Sequence, residues 1–584
     1  MTESRRNPGD PISSLSIATI IETDGPHIVA ELDTGIAELT RVYAGDIYPI
    51  GQFGSIVRIH YGRRIIYAYV SRLRMKTEYD IERGAGPIAS STARIIEADL
   101  FGEGEYVYAH HAWELRFERG VSEYPLPQQK VYLTPHSELR FIYGGAGGCT
   151  IEIGEHVGTG GVRCHADLNA LVGKHTAVLG STGAGKSATV AAVLHAILAR
   201  GALKGYKHWS PQVVVLDPHN EYGTAFSSHA RLSTDDGTLR LPYWLLDFAE
   251  SLSLFIGRTE FAATSQSNIL LNALLDARRA GAEVIKVCAD AITVDSPVPY
   301  LLGDPNGLDI FGKRAGNDDY FGLVGAINKQ RPENKDKKAH EDYNKVIRKI
   351  QTLRGDARMA FMMEPWSGSA DEFTDVVRQF LGGDDPMQIV DLSGVPNEVA
   401  GIASAAIART LFSVKVWQTP DERESSPLLI VCEEAHRYVP DRGEAVYAAA
   451  QEAIRRVAKE GRKYGLGLML VSQRPSEVEA TVLSQCNSWI VMRVTNEQDR
   501  EHVKNVLPDS MTGLARMLSG LRRREAVFVG EAAMLPSRIM VRELAEDRLP
   551  RSHDINFDVG WQKDPMTDEA VAAVGLRWRT QKRT

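Results

Sequence analysis

The 584-residue sequence predicts an α/β protein: a parallel sheet with crossover helices, preceded by a small β-barrel and interrupted by a helical insertion. Three observations carry this expectation. From about residue 168 onward, short apolar runs (HTAVLG, QVVVLD, MQIVDL, LLIVCEE, LGLMLVSQ, SWIVMRV, EAVFVG) alternate with helical periods, as strands joined by crossover helices do. From Leu15 to about Leu133, β-rich runs meet at glycine turns, in SLSIATIIETDGPHIVAELD around Asp24-Gly25 and in GSIVRIHYGRRIIYAYVSRL around Gly62, which suits a small barrel. Between Tyr222 and about Asp384 the strand runs thin out, and amphipathic stretches such as SNILLNALLDARRA and HEDYNKVIRKIQTL take over. The expected boundaries are a barrel at 1–163, a core at 164–222 and 385–545, a helical insertion at 223–384, and a polar arm at 546–584.

Composition bounds the function without choosing it. Apolar content of 43%, charged content of 24% and aromatic content of 8% are those of a folded chain and exclude bulk disorder. A net charge of -8 argues against a surface that clamps nucleic acid everywhere, and leaves room for a local basic channel. Cys149, Cys164, Cys288, Cys432 and Cys486 are too scattered for a disulfide framework or a zinc knuckle, so a reduced, cytoplasmic setting is expected. The amino terminus lacks a signal-peptide core, and no apolar run approaches the ~18 residues of a membrane span.

Chemistry enters at TAVLGSTGAGKSATVAAVLHAIL. Here Gly180-Ser181-Thr182-Gly183-Ala184-Gly185-Lys186-Ser187 fits G-x-x-x-x-G-K-[ST] between a strand and a helix. The glycines permit positive φ and close backbone approach, so successive N–H groups can turn toward a phosphate. Lys186 would reach the β- and γ-phosphates, Ser187 would place a hydroxyl on Mg²⁺, and the helix would turn its positive end to the anion. A random chain of this length matches the pattern roughly two times in a hundred, so with its flanking elements it points to a bound nucleotide.

A second site is implied by LLIVCEEAHRYVP, where a hard apolar strand runs into Glu433 and Glu434. Two adjacent carboxylates at a strand end repel one another and resist burial. Beside a nucleotide they have separate uses, one holding Mg²⁺ through water and the other orienting or deprotonating the attacking water. Alternation along the strand predicts that they diverge, Glu433 toward the metal and Glu434 toward the γ-phosphate.

The motifs LGSTGAGKS, VLDPHNEYG, LLIVCEEAHRYVP and EGRKYGLGLMLVSQRPSEV together resemble the HerA family of hexameric DNA-translocating ATPases, relatives of the FtsK pumps. The resemblance runs from about Cys164 into the 540s and, more loosely, to the N-terminal strands. It implies a RecA-like P-loop ATPase core that uses ATP and Mg²⁺, with Glu433 as the metal-side acid and Glu434 as the base. Gln473, at the end of LGLMLVSQ, matches the family's sensor position. Arg462 or Lys463 in KEGRKYG would act in trans from a neighbouring subunit; Arg462 is favoured because its planar fork suits phosphate.

Other residues keep two readings. Asp217 in DPHNEY sits near the metal water or within the turn, where His219 and Glu221 also fit as turn and cap residues. His436 relays nucleotide state or is simply hydrogen-bonded, and Arg493 in WIVMRVTNEQD is a further candidate phosphate-side cation. Lys329, Arg331, Lys335, Lys337 and Lys338 could line a DNA pore, although Glu333 and Asp336 among them favour a solvated loop.

The resemblance therefore implies a hexameric translocase on double-stranded DNA. It would feed a separately encoded effector, nuclease or sirtuin-type, docked near the barrel, in anti-phage defence or DNA end processing. The alternative is a nucleotide-regulated ring scaffold that activates its effector with little translocation of its own.

Overall fold

The computed structural model describes residues 7–580 except 8, 37, 53, 85–91, 110–111, 145–147, 158, 160, 258–262, 304–321, 333–336, 384, 442–447, 507–516 and 552–556. Two compact units divide the chain. One comprises Met1–Leu171, Leu179–Ala196 and Asn487–Glu543, the other Val172–Val178, Ile197–Cys486 and Leu544–Thr584.

The first unit opens with β1 (Ser16–Asp24), β2 (His27–Leu32), a separate hairpin of β3 (Thr40–Tyr43) and β4 (Asp46–Pro49), β5 (Ile56–Tyr61), β6 (Arg64–Met75), β7 (Arg94–Ala109), β8 (Ala112–Arg119) and β9 (Lys130–Leu133). The sheet order is β2-β1-β9-β5-β6-β7-β8, and β2 also pairs with β7, so six antiparallel strands close into a barrel and β8 extends the sheet from β7. Alternate residues fill it: Ile28 and Ala30, Val57 and Ile59, Ile66, Ala68 and Val70, Ile96 and Ala98, Val131 and Leu133. Each large apolar side chain fully buried there contributes roughly 1.5–3 kcal/mol.

The opposite face of β5 and β6 packs Ile56, Ile65 and Tyr67 against Leu139, Ile142 and Tyr143 of the helix His136–Gly144. Within that apolar layer lies a buried ion pair. Arg58 Nη1 donates to Glu138 Oε2 at 2.5 Å, and the Tyr67 hydroxyl donates to Glu138 Oε1. β10 (Thr150–His156) and β11 (Arg163–Asp167) follow as an antiparallel pair.

The second unit carries the parallel strands. β12 (Thr176–Leu179), β13 (Gln212–Asp217), β14 (Ala230–Ser233), β15 (Met387–Asp391), β16 (Leu428–Cys432) and β17 (Leu466–Ser472) lie in the order β12-β17-β16-β13-β15-β14. β13 runs parallel to β15 and β16, β14 to β15, and β16 to β17. Every residue of β15, β16 and β17 is buried, which is why their sequences are unbroken apolar runs rather than alternating ones. The insertion holds the helices Phe248–Phe255, Ala263–Val284, Gly322–Lys329, Lys337–Gly355 and Phe373–Leu381. It also holds the strand β14, whose four residues ARLS give no apolar run to detect.

The first unit is completed by β18 (Ser488–Met492), β19 (Glu525–Gly530) and β20 (Ser537–Val541). These strands pair antiparallel, and β20 continues antiparallel onto β10. Here the expectation of a parallel strand from EAVFVG is corrected: β19 runs antiparallel to both β18 and β20, and residues 531–536 between β19 and β20 are too few for a crossover.

Two helices, Lys186–Lys204 and Val399–Trp417, are long and apolar enough by composition to cross a membrane, and 61% and 72% of them, respectively, is buried inside the protein. The end of the chain is exposed. Helices Phe557–Trp561 and Asp568–Thr580 bury no residue and leave Trp561 and Trp578 in solvent.

Candidate nucleotide site

In the first unit, the chain leaving Leu179 turns through residues 180–185 and enters the 19-residue helix Lys186–Lys204. Gly183 and Gly185 take φ of +74° and +99°, where a side chain would be strained. Gly180 is required for space, since a Cβ there would stand 2.8 Å from Met492 Cβ. The loop is fixed from both sides. The Ser181 N–H donates to the Arg493 carbonyl at 2.8 Å, the Thr495 N–H donates to Ser181 Oγ at 3.1 Å, and the Arg524 N–H donates to the Ala184 carbonyl at 3.1 Å. Lys186 is buried, Ser187 is half-buried, and no acid in the first turn of the helix opposes its positive end. Left-handed glycines, a buried lysine and an unopposed helix start fit a polyphosphate.

In the second unit, Glu433 and Glu434 follow β16 and are almost wholly buried. They diverge, though for a reason that strand alternation did not supply. The Glu433 N–H still pairs with the Leu216 carbonyl of β13 at 3.2 Å, whereas Glu434 has turned into the left-handed region at φ 54°, ψ 52°. That conformation costs a non-glycine residue about 1–2 kcal/mol and is held by its surroundings. Glu433 Oε2 accepts from the Tyr222 hydroxyl at 2.8 Å, while Glu434 Oε1 accepts from Gln473 Nε2 at the end of β17. Glu434 Oε2 is buried without a hydrogen bond, and His436 Nδ1 is 3.3 Å away. Burial holds the His436 pKa below its ordinary value, against the pull of the Glu434 charge.

Asp217, fully buried at the end of β13, serves its own turn by accepting from the N–H groups of His219 at 3.2 Å and Tyr222 at 2.9 Å. Burial pushes its pKa up to about 6, and the charge of Asp391, its register partner on β15, adds to the rise. Asp391 has its own cation, Arg231 at 2.9 Å. Tyr222 is thus the residue that sequence reasoning missed. Its amide is held by Asp217 and its hydroxyl holds Glu433, but a buried tyrosine after a strand has no sequence mark separating it from an ordinary core residue.

The structure brings Asp217, Tyr222, Glu433, Glu434, Gln473 and His436 together. Arg462 and Lys463 lie apart from them in the short turn Gly461–Tyr464; both are exposed, and among the described residues neither forms an ion pair. The Arg493 carbonyl secures the loop, and its Nε is buried without a partner. Of the basic stretch, Arg331 donates to Asn344 Oδ1 at 2.7 Å and Lys329 ends a helix. Lys335 lies outside the described residues, as do the side chains of Lys337 and Lys338.

Comparison with known proteins now bears on this geometry. The family described as "Helicase HerA, central domain" matches residues 151–411. The DNA double-strand break repair helicase HerA of Pyrococcus furiosus is 27% identical over 449 residues, covering 72% of this chain and 73% of that protein. The protein of the same name from Sulfurisphaera tokodaii is 26% identical over 458 residues, covering 78% and 80%. These matches support a HerA-family P-loop ATPase. Among solved structures, VirB4 of Thermoanaerobacter pseudethanolicus is 17% identical, covers 69% of this chain and is itself covered to 98%, with a TM-score of 0.45.

Proposed function

We propose that the chain is an ATP-driven translocase on double-stranded DNA, working as a hexameric ring. The observation that carries this reading furthest is Glu434, buried in a left-handed conformation with one oxygen fixed by Gln473 and the other without a hydrogen bond. An acid whose free oxygen is held in place suits a general base that takes a proton from an attacking water. Gln473 would orient that water and steady the γ-phosphate. The backbone N–H groups of 180–185 and Lys186 would cradle the phosphates, and Mg²⁺, held by Ser187 and through water by Glu433, would offset their charge. Asp217 would act through Tyr222, whose hydroxyl sets Glu433. Arg462, exposed and without an ion pair among the described residues, would complete the site of the next subunit, so hydrolysis would require assembly.

The DNA substrate is supported by the names of the relatives, which are DNA double-strand break repair helicases. Hexameric assembly and a separately encoded effector, nuclease or sirtuin-type, in phage defence or DNA end processing, follow from the resemblance to HerA rings. The test is steady-state ATP hydrolysis with and without double-stranded DNA, with Glu434→Gln as the control. Stimulation by DNA that this change abolishes is expected. Hydrolysis indifferent to DNA would overturn the motor, and activity surviving Glu434→Gln would overturn the base.

A further inference from the structure

The run Arg522-Arg523-Arg524 lies just before β19, and its three members are used differently. Arg522 turns back to Glu525, with Nε 3.3 Å from the carboxylate. Arg524 instead lies on the nucleotide loop. Its N–H caps the Ala184 carbonyl at 3.1 Å, and its carbonyl accepts from Val541 at 3.0 Å. Its Cγ is 3.7 Å from where a Cβ on Gly185 would stand. The backbone at Arg524 is left-handed, with φ of +66°. Glycine would sit there without strain, so the arginine is held in a costly conformation that its surroundings must sustain.

The side chain is available for that use. It is about one-third exposed, and Nη1 lies 2.8 Å from Glu543 Oε1, whose own side chain is 79% exposed. An ion pair so open to water is readily exchanged. Lys186, at the helix start, would face the β- and γ-phosphates, whereas Arg524 approaches the loop at Ala184 and Gly185, just before that lysine. A planar guanidinium offers paired donors that match phosphate oxygens.

We propose that Arg524 is a nucleotide-binding residue, exchanging Glu543 for the α- and β-phosphates of ATP or ADP bound on the loop. The proposal rests on the nucleotide reading of 180–187. Its test is calorimetric titration of the full chain with MgADP and MgATP, comparing the wild type with Lys186→Ala and Arg524→Gly. Glycine suits the left-handed backbone, so Arg524→Gly should keep the melting temperature of the wild type. It should weaken ADP and ATP alike, by roughly tenfold, as expected for one lost charge-assisted contact. Wild-type affinity for both nucleotides in Arg524→Gly would overturn the proposal, as would a loss confined to ATP or a loss accompanied by a lowered melting temperature. A wild type that binds neither nucleotide, with Lys186→Ala no different, would instead sink the nucleotide site itself.

Discussion

Glu138 in the barrel and Glu434 at the end of β16 are both buried glutamates, and their surroundings differ in what they leave unmet. Glu138 has both oxygens engaged, one by Arg58 and one by Tyr67, and Arg58 counters the burial that raises its pKa. What remains unpaired there is on the cation, at Arg58 Nε and Nη2. Glu434 has a strained backbone and, among the described residues, no cation in hydrogen bond and one oxygen without a donor. A buried acid with its partners in place serves the fold. A buried acid short of a partner, held there by left-handed backbone, is ready for a ligand that arrives later.

The contrast predicts opposite responses to the same substitution. Glu434→Gln should lower the rate of ATP hydrolysis by about 10²–10⁴, the usual contribution of a general base, while ATP still binds and the melting temperature is unchanged or higher. Unfolding by Glu434→Gln would show that this acid is structural after all. Glu138→Gln should do the reverse. Leaving the buried Arg58 charge uncompensated costs about 3–5 kcal/mol, a drop in melting temperature on the order of 10 °C, with hydrolysis per folded molecule preserved.

Tyr222→Phe sharpens the comparison by removing one hydrogen bond to Glu433 and nothing else. Turnover at saturating ATP should fall roughly tenfold, in line with the loss of one hydrogen bond to a charged group, and the magnesium requirement should rise. An unaltered magnesium titration would remove Tyr222 from the site.

The smallest effect concerns Asp217, an acid held by amides alone. Its pKa is raised from an ordinary 3.8 to about 6, so the folded protein binds this proton more tightly than the unfolded chain does. Its contribution to stability is therefore full below about pH 4 and is lost as pH rises through about 6. Asp217→Asn should flatten the stability profile between those values. A profile of the same slope in both proteins would place the titration elsewhere.

These features were unequally visible in the sequence. The loop at 180–187 and the acid pair announce themselves because their chemistry is local: adjacent residues of fixed type between a strand and a helix. The hairpins of the barrel were visible for the same reason, but its closure by β2 on β7 joins residues far apart and leaves no local mark. The strand β14 was hidden because it is short and half polar, and its pairing with β15 joins residues far apart in the sequence. Tyr222 was hidden because its role lies in where its hydroxyl ends, and the divergence of Glu433 and Glu434 was expected from pleating but is produced by a backbone flip.

That flip also bears on laboratory selection. A glycine or asparagine at 434 would relax the backbone and remove a buried charge, so both should raise heat resistance. A screen for thermal survival alone would therefore enrich variants that outlast the parent and hydrolyse nothing, and any such library needs an activity step before its winners are kept.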